Sequence, residues 1–330
     1  MSASPTPRRW SEGARRASPR RALTLGLVVA SGLAAAVSLS GCGLGAGAAP
    51  GSVAVTVSDE FGQRQLPAPA SLKVVGEETV MSLMQRNYRI GTRFGGKFVQ
   101  SINGLGGESE GAEPVDWFYY VNGVQATKGA AATNVHPADQ IWWDRHDWSQ
   151  TESIPAVVGS YPEPFLHGYD GVRYPVRVQC TSVTSAPCRT VLGRLREAGV
   201  PAAVAATGSG GEPDALQVLV GPFRSIASDT SAASIERGPS ASGVYATFSA
   251  DGTKLTLLHA DGHPAAAPPG EVGLLAATRE RENAPVWVVT GTTAGGVARA
   301  AEAFDQVSLR DHFAVAVAAA GVVPLPVPGR

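Results

Sequence analysis

Asp116-Trp117-Phe118-Tyr119-Tyr120-Val121-Asn122-Gly123-Val124 decides the fold, together with the run that follows a polar insert, His136-Pro137-Ala138-Asp139-Gln140-Ile141-Trp142-Trp143-Asp144-Arg145-His146-Asp147-Trp148. Four of the six tryptophans fall here, in a chain with only 7% aromatics, so the concentration calls for an explanation. Aromatic and β-branched residues on either side of Asn122-Gly123 predict two strands and a tight hairpin, because both turn residues tolerate positive φ. Side chains alternate along a strand, which sends Trp117, Tyr119 and Val121 to one face and Phe118, Tyr120 and Asn122 to the other. One face fills a core, and the other is left for a covering element, a partner or a ligand. Trp117, Tyr119, Tyr120, Asn122, Trp142 and Trp143 are the candidate ligand contacts, offering large flat area with a few polar groups. About half of them are expected to be core.

Upstream, Val53-Ala54-Val55-Thr56-Val57 alternates as a strand, and the polar stretch from Asp59 to Gln63 turns it back. After Gly76-Glu77-Glu78-Thr79, the apolar residues Val80, Leu83, Met84 and Tyr88 recur at helical spacing, with the acidic pair at the positive end of the helix dipole. Phe98-Val99-Gln100-Ser101-Ile102 reads as a strand ending at a second Asn-Gly turn, Asn103-Gly104. One amphipathic helix against a mixed sheet is a two-layer α+β solution.

The helix from Thr79 to Met84, the strand Ser101-Ile102-Asn103-Gly104-Leu105, the core from Trp117 to Gly123 and the closing run from Val135 to Trp143 together resemble the DUF4430, or transcobalamin-like C-terminal, domain family. The resemblance spans residues 53–148 and implies a β-grasp-like fold of the soluble-ligand-binding type. In cobalamin carriers a similar module covers one side of the corrinoid, opposite an α/α barrel. The candidate ligand that the resemblance implies is therefore cobalamin or another corrinoid. This chain departs from those carriers: it encodes no α-helical barrel and no stretch that matches the loop bringing a histidine to cobalt.

Residues 149–173 form a linker rich in proline and glycine, with Tyr161, Phe165 and Tyr169 as sticky points. From 174 to 330 a separate α/β layered domain is expected. Val176-Arg177-Val178-Gln179-Cys180 alternates as a strand, Pro187 opens a helix striped by Val191, Leu192 and Leu195, and Leu216 to Val220 is a further strand. The element order with Val220-Gly221-Pro222-Phe223 resembles SPOR-like peptidoglycan-binding domains. Strands around Gly243 to Phe248 and Lys254 to Leu258 are joined by Asp251-Gly252, Pro285 to Thr290 is a buried strand, and Val297, Ala300, Ala301 and Phe304 share a helix face. Ser308, followed three residues on by Asp311, is expected to cap a last helix.

The first 41 residues read as an export signal: six arginines precede an uncharged run from Ala22 to Leu39, followed by Ser40-Gly41-Cys42. Leu39-Ser40-Gly41-Cys42 resembles the bacterial lipobox, which implies acylation of Cys42, cleavage before it, and a protein held on membrane lipid at the extracytoplasmic face. The competing reading is a transmembrane anchor. Arg20-Arg21 resembles a twin-arginine signal with Pro19 in place of the usual serine or threonine, so both export routes stay open. Residues 42–52 are a small-residue tether. Beyond the leader the chain holds 21 basic and 27 acidic residues, a net charge of −6, which argues against nucleic acid as a partner. Only four lysines and abundant alanine suggest a high-GC, actinobacterial coding bias. In an oxidising exterior Cys180 and Cys188 read as a disulfide, stabilising by about 2–3 kcal/mol on the chain-entropy estimate.

Catalytic chemistry finds little to work with. Thr290-Gly291-Thr292-Thr293-Ala294-Gly295-Gly296 lacks a Walker lysine and reads as a tight strand-to-helix turn. Gly238-Pro239-Ser240-Ala241-Ser242 ends in serine where a nucleophile elbow needs glycine. None of the six histidines falls in an H-E-x-x-H pattern, and His146, among Asp144, Arg145 and Asp147, reads as a solvated strand end. The sequence thus predicts neither catalytic residues nor a metal site, but a lipoprotein that binds a soluble ligand. The alternative is a cell-envelope protein that contacts peptidoglycan, an uptake transporter or another protein, with no small ligand.

Overall fold

A computed structural model describes residues 51–69, 71–106, 114–209 and 214–329. The export signal, Cys42 and nearly all of the tether lie outside the described residues. Among those described, no helix is long and apolar enough to cross a membrane.

The strands of the first half are β1 (Ser52–Asp59), β2 (Arg64–Gln65), β3 (Leu72–Lys73), β4 (Ile90–Arg93), β5 (Phe98–Ile102), β6 (Leu105–Gly106), β7 (Val115–Val121), β8 (Val124–Gln125) and β9 (Gln140–Asp147). They form a mixed sheet of order β2-β1-β9-β7-β8, with β3 also on β1, and a three-stranded sheet β4-β5-β6. β1 runs parallel to β9 and β7 antiparallel to it, with Tyr119 opposite Trp143 and Tyr120 opposite Trp142. The Asn122-Gly123 turn has both residues at positive φ, as the hairpin reading requires.

The helix α1 (Val80–Asn87) starts at Thr79, whose side chain and that of Ser82 cap each other's backbone N–H. Val80, Leu83 and Met84 pack on Val53, Val55, Trp117, Tyr119 and Trp143, so one helix covers one face of the mixed sheet. Glu78 serves less as a dipole partner than as a clamp: Arg86 donates to both its oxygens at 3.0 and 2.9 Å. Burial pushes that carboxyl up, but the hydrogen bonds from Arg86 and the Val75 N–H outweigh it, and the net displacement is downward.

The second half is built on a seven-stranded sheet. Its strands are β10 (Val176–Cys180), β11 (Ala202–Ala206), β12 (Leu216–Pro222), β15 (Gly273–Thr278), β16 (Val286–Gly291), β17 (Ala314–Ala318) and β18 (Gly321–Leu325), in the order β11-β10-β12-β16-β15-β17-β18. The hairpin β13 (Ala246–Phe248) and β14 (Leu255–Leu257) stands beside it. α2 (Ala186–Glu197) is capped by Ser185 with Pro187 in its first turn, and α3 (Ala294–Glu302) packs on the sheet through Val297, Ala300 and Ala301. Cys180 at the end of β10 and Cys188 in the first turn of α2 are disulfide-bonded. The chain is α+β, as expected.

The last helix predicted from Ser308 does not form. Only the turn Gln306–Leu309 is helical, capped by Asp305, and the chain then runs into the antiparallel pair β17 and β18. Ala314-Val315-Ala316-Val317-Ala318 is buried on both faces, and β-branched valines at alternate positions favour the strand there.

The two halves share a core. Phe61, Tyr120 and Trp142 from the first pack with Phe223, Tyr245, Leu274 and Phe313 from the second, and the described residues make one compact unit. The connecting residues are buried too: Ile154 and Val157 belong to that core, and Tyr161 and Phe165 pack with Trp287 and Phe304 in another.

Candidate ligand-binding cleft

The six candidate contacts are all buried, at 0–9% exposure. Trp117, Tyr119 and Trp143 face α1, where Tyr119 stacks on Trp143 with ring centroids 4.7 Å apart. The Tyr119 hydroxyl donates to the Lys128 carbonyl at 2.5 Å, and the Trp117 indole to the Leu105 carbonyl at 3.2 Å. Tyr120 and Trp142 face the other way, under Phe313, at 5.5 and 5.0 Å. The expectation that half of these rings stay open to solvent is corrected: one face is closed by α1, and the other by a phenylalanine some 170 residues further along. Asn122 is a strut. Its Nδ2 donates to Asp139 Oδ1 (2.9 Å) and the Gly168 carbonyl (2.8 Å), and its Oδ1 accepts from the Gln140 N–H (2.8 Å).

This burial also bears on the corrinoid. A flat macrocycle laid on the aromatic strands would need the face of Tyr120 and Trp142, and that face is filled by Phe313 and Tyr245. The residues present do not fit it there.

The second face of β9 carries a buried polar centre where the mixed-charge run predicts a solvated strand end. Trp142, Asp144 and His146 share that face by the strand period. Asp144 is fully buried and accepts from Ser58 Oγ (2.5 Å), the backbone N–H groups of Phe61 (3.1 Å) and Gly62 (2.8 Å), and His146 Nδ1 (2.8 Å). Ser58 Oγ in turn accepts from the Trp142 indole N–H at 2.7 Å. His146, 3% exposed, lies between Phe61 and Phe118 with centroids 4.6 and 4.4 Å away. The signal that could have found it is parity: Asp144 and His146 fall in register with Trp142, on the face of β9 opposite Ile141 and Trp143.

Beside this centre a cleft of about 900 Å³ opens along the seam. β1 and its turn contribute Asp59, Glu60, Phe61 and Gln63, and β9 contributes Arg145, His146 and Asp147; from the second half come His259 to Asp261, Pro264 to Ala266, and Val327 to Gly329. That volume lies in the range of sites that enclose small molecules. Asp59 is engaged by Arg64 and by Arg145, whose Nη1 donates at 3.1 Å. His259 Nδ1 donates to the Val327 carbonyl at 2.9 Å. At the rim, Asp261 is held below the usual carboxylate range, chiefly by the His263 backbone N–H.

The other motifs resolve structurally. At the glycine turn, Thr293 caps α3 and also donates to Glu271 Oε1 at 2.7 Å, so the chain's own carboxylate lies there, and a Cβ on Gly273 would come within 2.3 Å of the Gly296 carbonyl. Ser242 is buried and donates to the Gly238 carbonyl at 2.9 Å. Among the described residues no group of three or more metal-ligating side chains comes together.

Fold and cleft define an α+β protein in which a small helix-on-sheet unit is fused to a seven-stranded α/β unit, with an open cleft on their seam. Residues 77–147, from just ahead of α1 to the end of β9, match the family model of a domain of unknown function (DUF4430). No curated protein matches the chain.

Proposed function

We propose that this is a lipid-anchored extracytoplasmic protein that binds a soluble ligand, and that the ligand occupies the seam cleft rather than the aromatic strand face. The observation that carries this reading is the cleft itself: both halves line it, and at its inner end His146 is fixed by Asp144. The site differs from the one the aromatic composition suggests, but the class of function is the same. A panel of sugars, peptides, muropeptide fragments and corrinoids is screened by thermal shift on the chain from Gly47 onward. A ligand that binds only the folded form raises the melting temperature by mass action. Ala265→Trp, which fills the cleft, abolishes any such shift. If a ligand shifts both proteins equally, the cleft is not its site.

Anchoring rests on the lipobox-like sequence, and Cys42→Ala moves the protein from the membrane to the soluble fraction. An unchanged distribution refutes the anchor.

The alternative, docking on an envelope protein without a small ligand, is favoured by one exposed feature. Phe94 is 79% exposed at the tip between β4 and β5, flanked by exposed Arg93 and Lys97. Crosslinking in intact cells separates the readings: loss of a crosslinked neighbour in Phe94→Ser, with no thermal-shift ligand found, supports docking.

A further inference from the structure

We propose that the seam cleft takes an organic cation with an apolar body, an amine that donates to Nε2 of His146 while Glu60, Asp147 and Asp261 offset its charge. The inference rests on the cleft being a binding site and adds the chemistry of what enters it.

Asp144 sets the tautomer of the His146 ring. Asp144 accepts from two backbone N–H groups and from Ser58, so its Oδ1 meets His146 Nδ1 as an acceptor and the proton lies on Nδ1. In the neutral ring Nε2 then carries a lone pair. The ring is 3% exposed and lines the cleft, and its only hydrogen bond among the described residues is the one at Nδ1. Stacking between Phe61 and Phe118 prevents it from turning away. An acceptor so held and so desolvated asks for a donor.

The rest of the lining has the same bias. His259 gives its Nδ1 proton to the Val327 carbonyl, which leaves its Nε2 a second acceptor. Asp59 is matched by Arg64 and Arg145, and Arg145 Nε is further engaged by the Gly106 carbonyl at 2.5 Å. Glu60, Asp147 and Asp261 remain as carboxylates on the cleft wall. Asp147 accepts from the Ser149 N–H and hydroxyl at 2.7 and 3.1 Å, bonds that fix its direction without cancelling its charge. Between these polar groups run Val115, Ala265, Ala266 and Pro328. A surface rich in acceptors, net acidic and apolar in between is complementary to an ammonium on a hydrocarbon or aromatic stem. An anion would meet three carboxylates there; of these Asp261 has the His263 ring 3.2 Å away, while Glu60 and Asp147 have no basic partner among the described residues.

The test uses three probes of one shape: 2-phenylethylamine, 2-phenylethanol and 3-phenylpropanoate. They are titrated into the chain from Gly47 onward while the carbon-bound imidazole resonances of His146 and His259 are followed by NMR. The amine is expected to bind about tenfold more tightly than the alcohol, a difference of about 1.4 kcal/mol, and the carboxylate more weakly than either. In Asp147→Asn/Asp261→Asn, which neutralises two of the three wall carboxylates, the preference for the amine over the alcohol falls to about threefold or less. If the alcohol binds as tightly as the amine, or the double variant keeps the full preference, the cation is refuted and the cleft survives as a site for neutral molecules. If none of the three moves the His146 resonances, the cleft reading fails and the cation with it.

Discussion

Replacing Asp144 with asparagine tests the polar centre on which both the seam and the cleft depend. The carboxylate receives two donors on each oxygen: the Phe61 N–H and His146 Nδ1 on Oδ1, and Ser58 Oγ and the Gly62 N–H on Oδ2. Asparagine keeps one acceptor oxygen and turns the other into a donor. With the amide NH2 toward Ser58, the hydroxyl can rotate to accept, but the Gly62 N–H then faces another donor. The opposite orientation strands the Phe61 N–H and forces His146 into its other tautomer. Either way one buried backbone donor is left unpaired, at about 1–3 kcal/mol, and charge assistance to the remaining bonds is lost. The expected destabilisation is about 2–4 kcal/mol. At about 2–4 °C per kcal/mol for a domain of this size class, the melting temperature falls by about 5–15 °C. Urea unfolding followed by tryptophan fluorescence measures it, since Trp142 is joined to the same network through Ser58. Amide exchange at Gly62 should quicken in parallel. A loss below about 0.5 kcal/mol, the range of ordinary surface changes, would refute the view that this carboxylate holds the β1 turn to β9.

Three further outcomes follow from the same geometry. Asn122→Ala removes three buried hydrogen bonds and the turn residue at φ 53°, and should cost about 2–4 kcal/mol in urea unfolding without altering ligand binding, which separates a strut from a contact. Tyr120→Phe deletes a buried hydroxyl without a hydrogen-bond partner, so stability should stay within about 1 kcal/mol of wild type or rise; a loss above about 2 kcal/mol would mean that the hydroxyl is engaged. Burial holds His312 below its ordinary value of 6.5, so as pH falls below that point the unfolded chain takes up a proton that the folded chain refuses, and stability drops. His312→Asn should flatten that part of the urea-midpoint profile, and parallel profiles would refute the assignment.

Much of the first half can be read from local pattern. Alternation in β7, the Asn122-Gly123 turn and the spacing of Val80, Leu83 and Met84 each report on neighbours within a few residues, and the structure keeps all three. What covers Tyr120 and Trp142 cannot be read this way, because Phe313 reaches them by tertiary packing and its own surroundings carry no aromatic pattern. The same distance hides the cleft, whose walls come from β1, β9 and the last residues of the chain. His146 is a different case: the charges on both sides of it favour solvent, while the strand parity that it shares with Trp142 favours the buried face it occupies. The Ser308 cap failed because alanine-rich segments suit helix and buried strand alike, and the neighbouring β15 and β18 decide between them.

The way Phe313 sits on the first half carries over to any protein that owns a unit like residues 52–147 without the rest. Cut loose, this module would present Phe61, Tyr120, Trp142 and the flanks of His146 to water as one contiguous oily face. A solitary homologue must therefore either write polar side chains at those four positions or recruit a lid of its own. Where such a homologue keeps all four rings, a search for its missing cover should begin with whatever is encoded beside it.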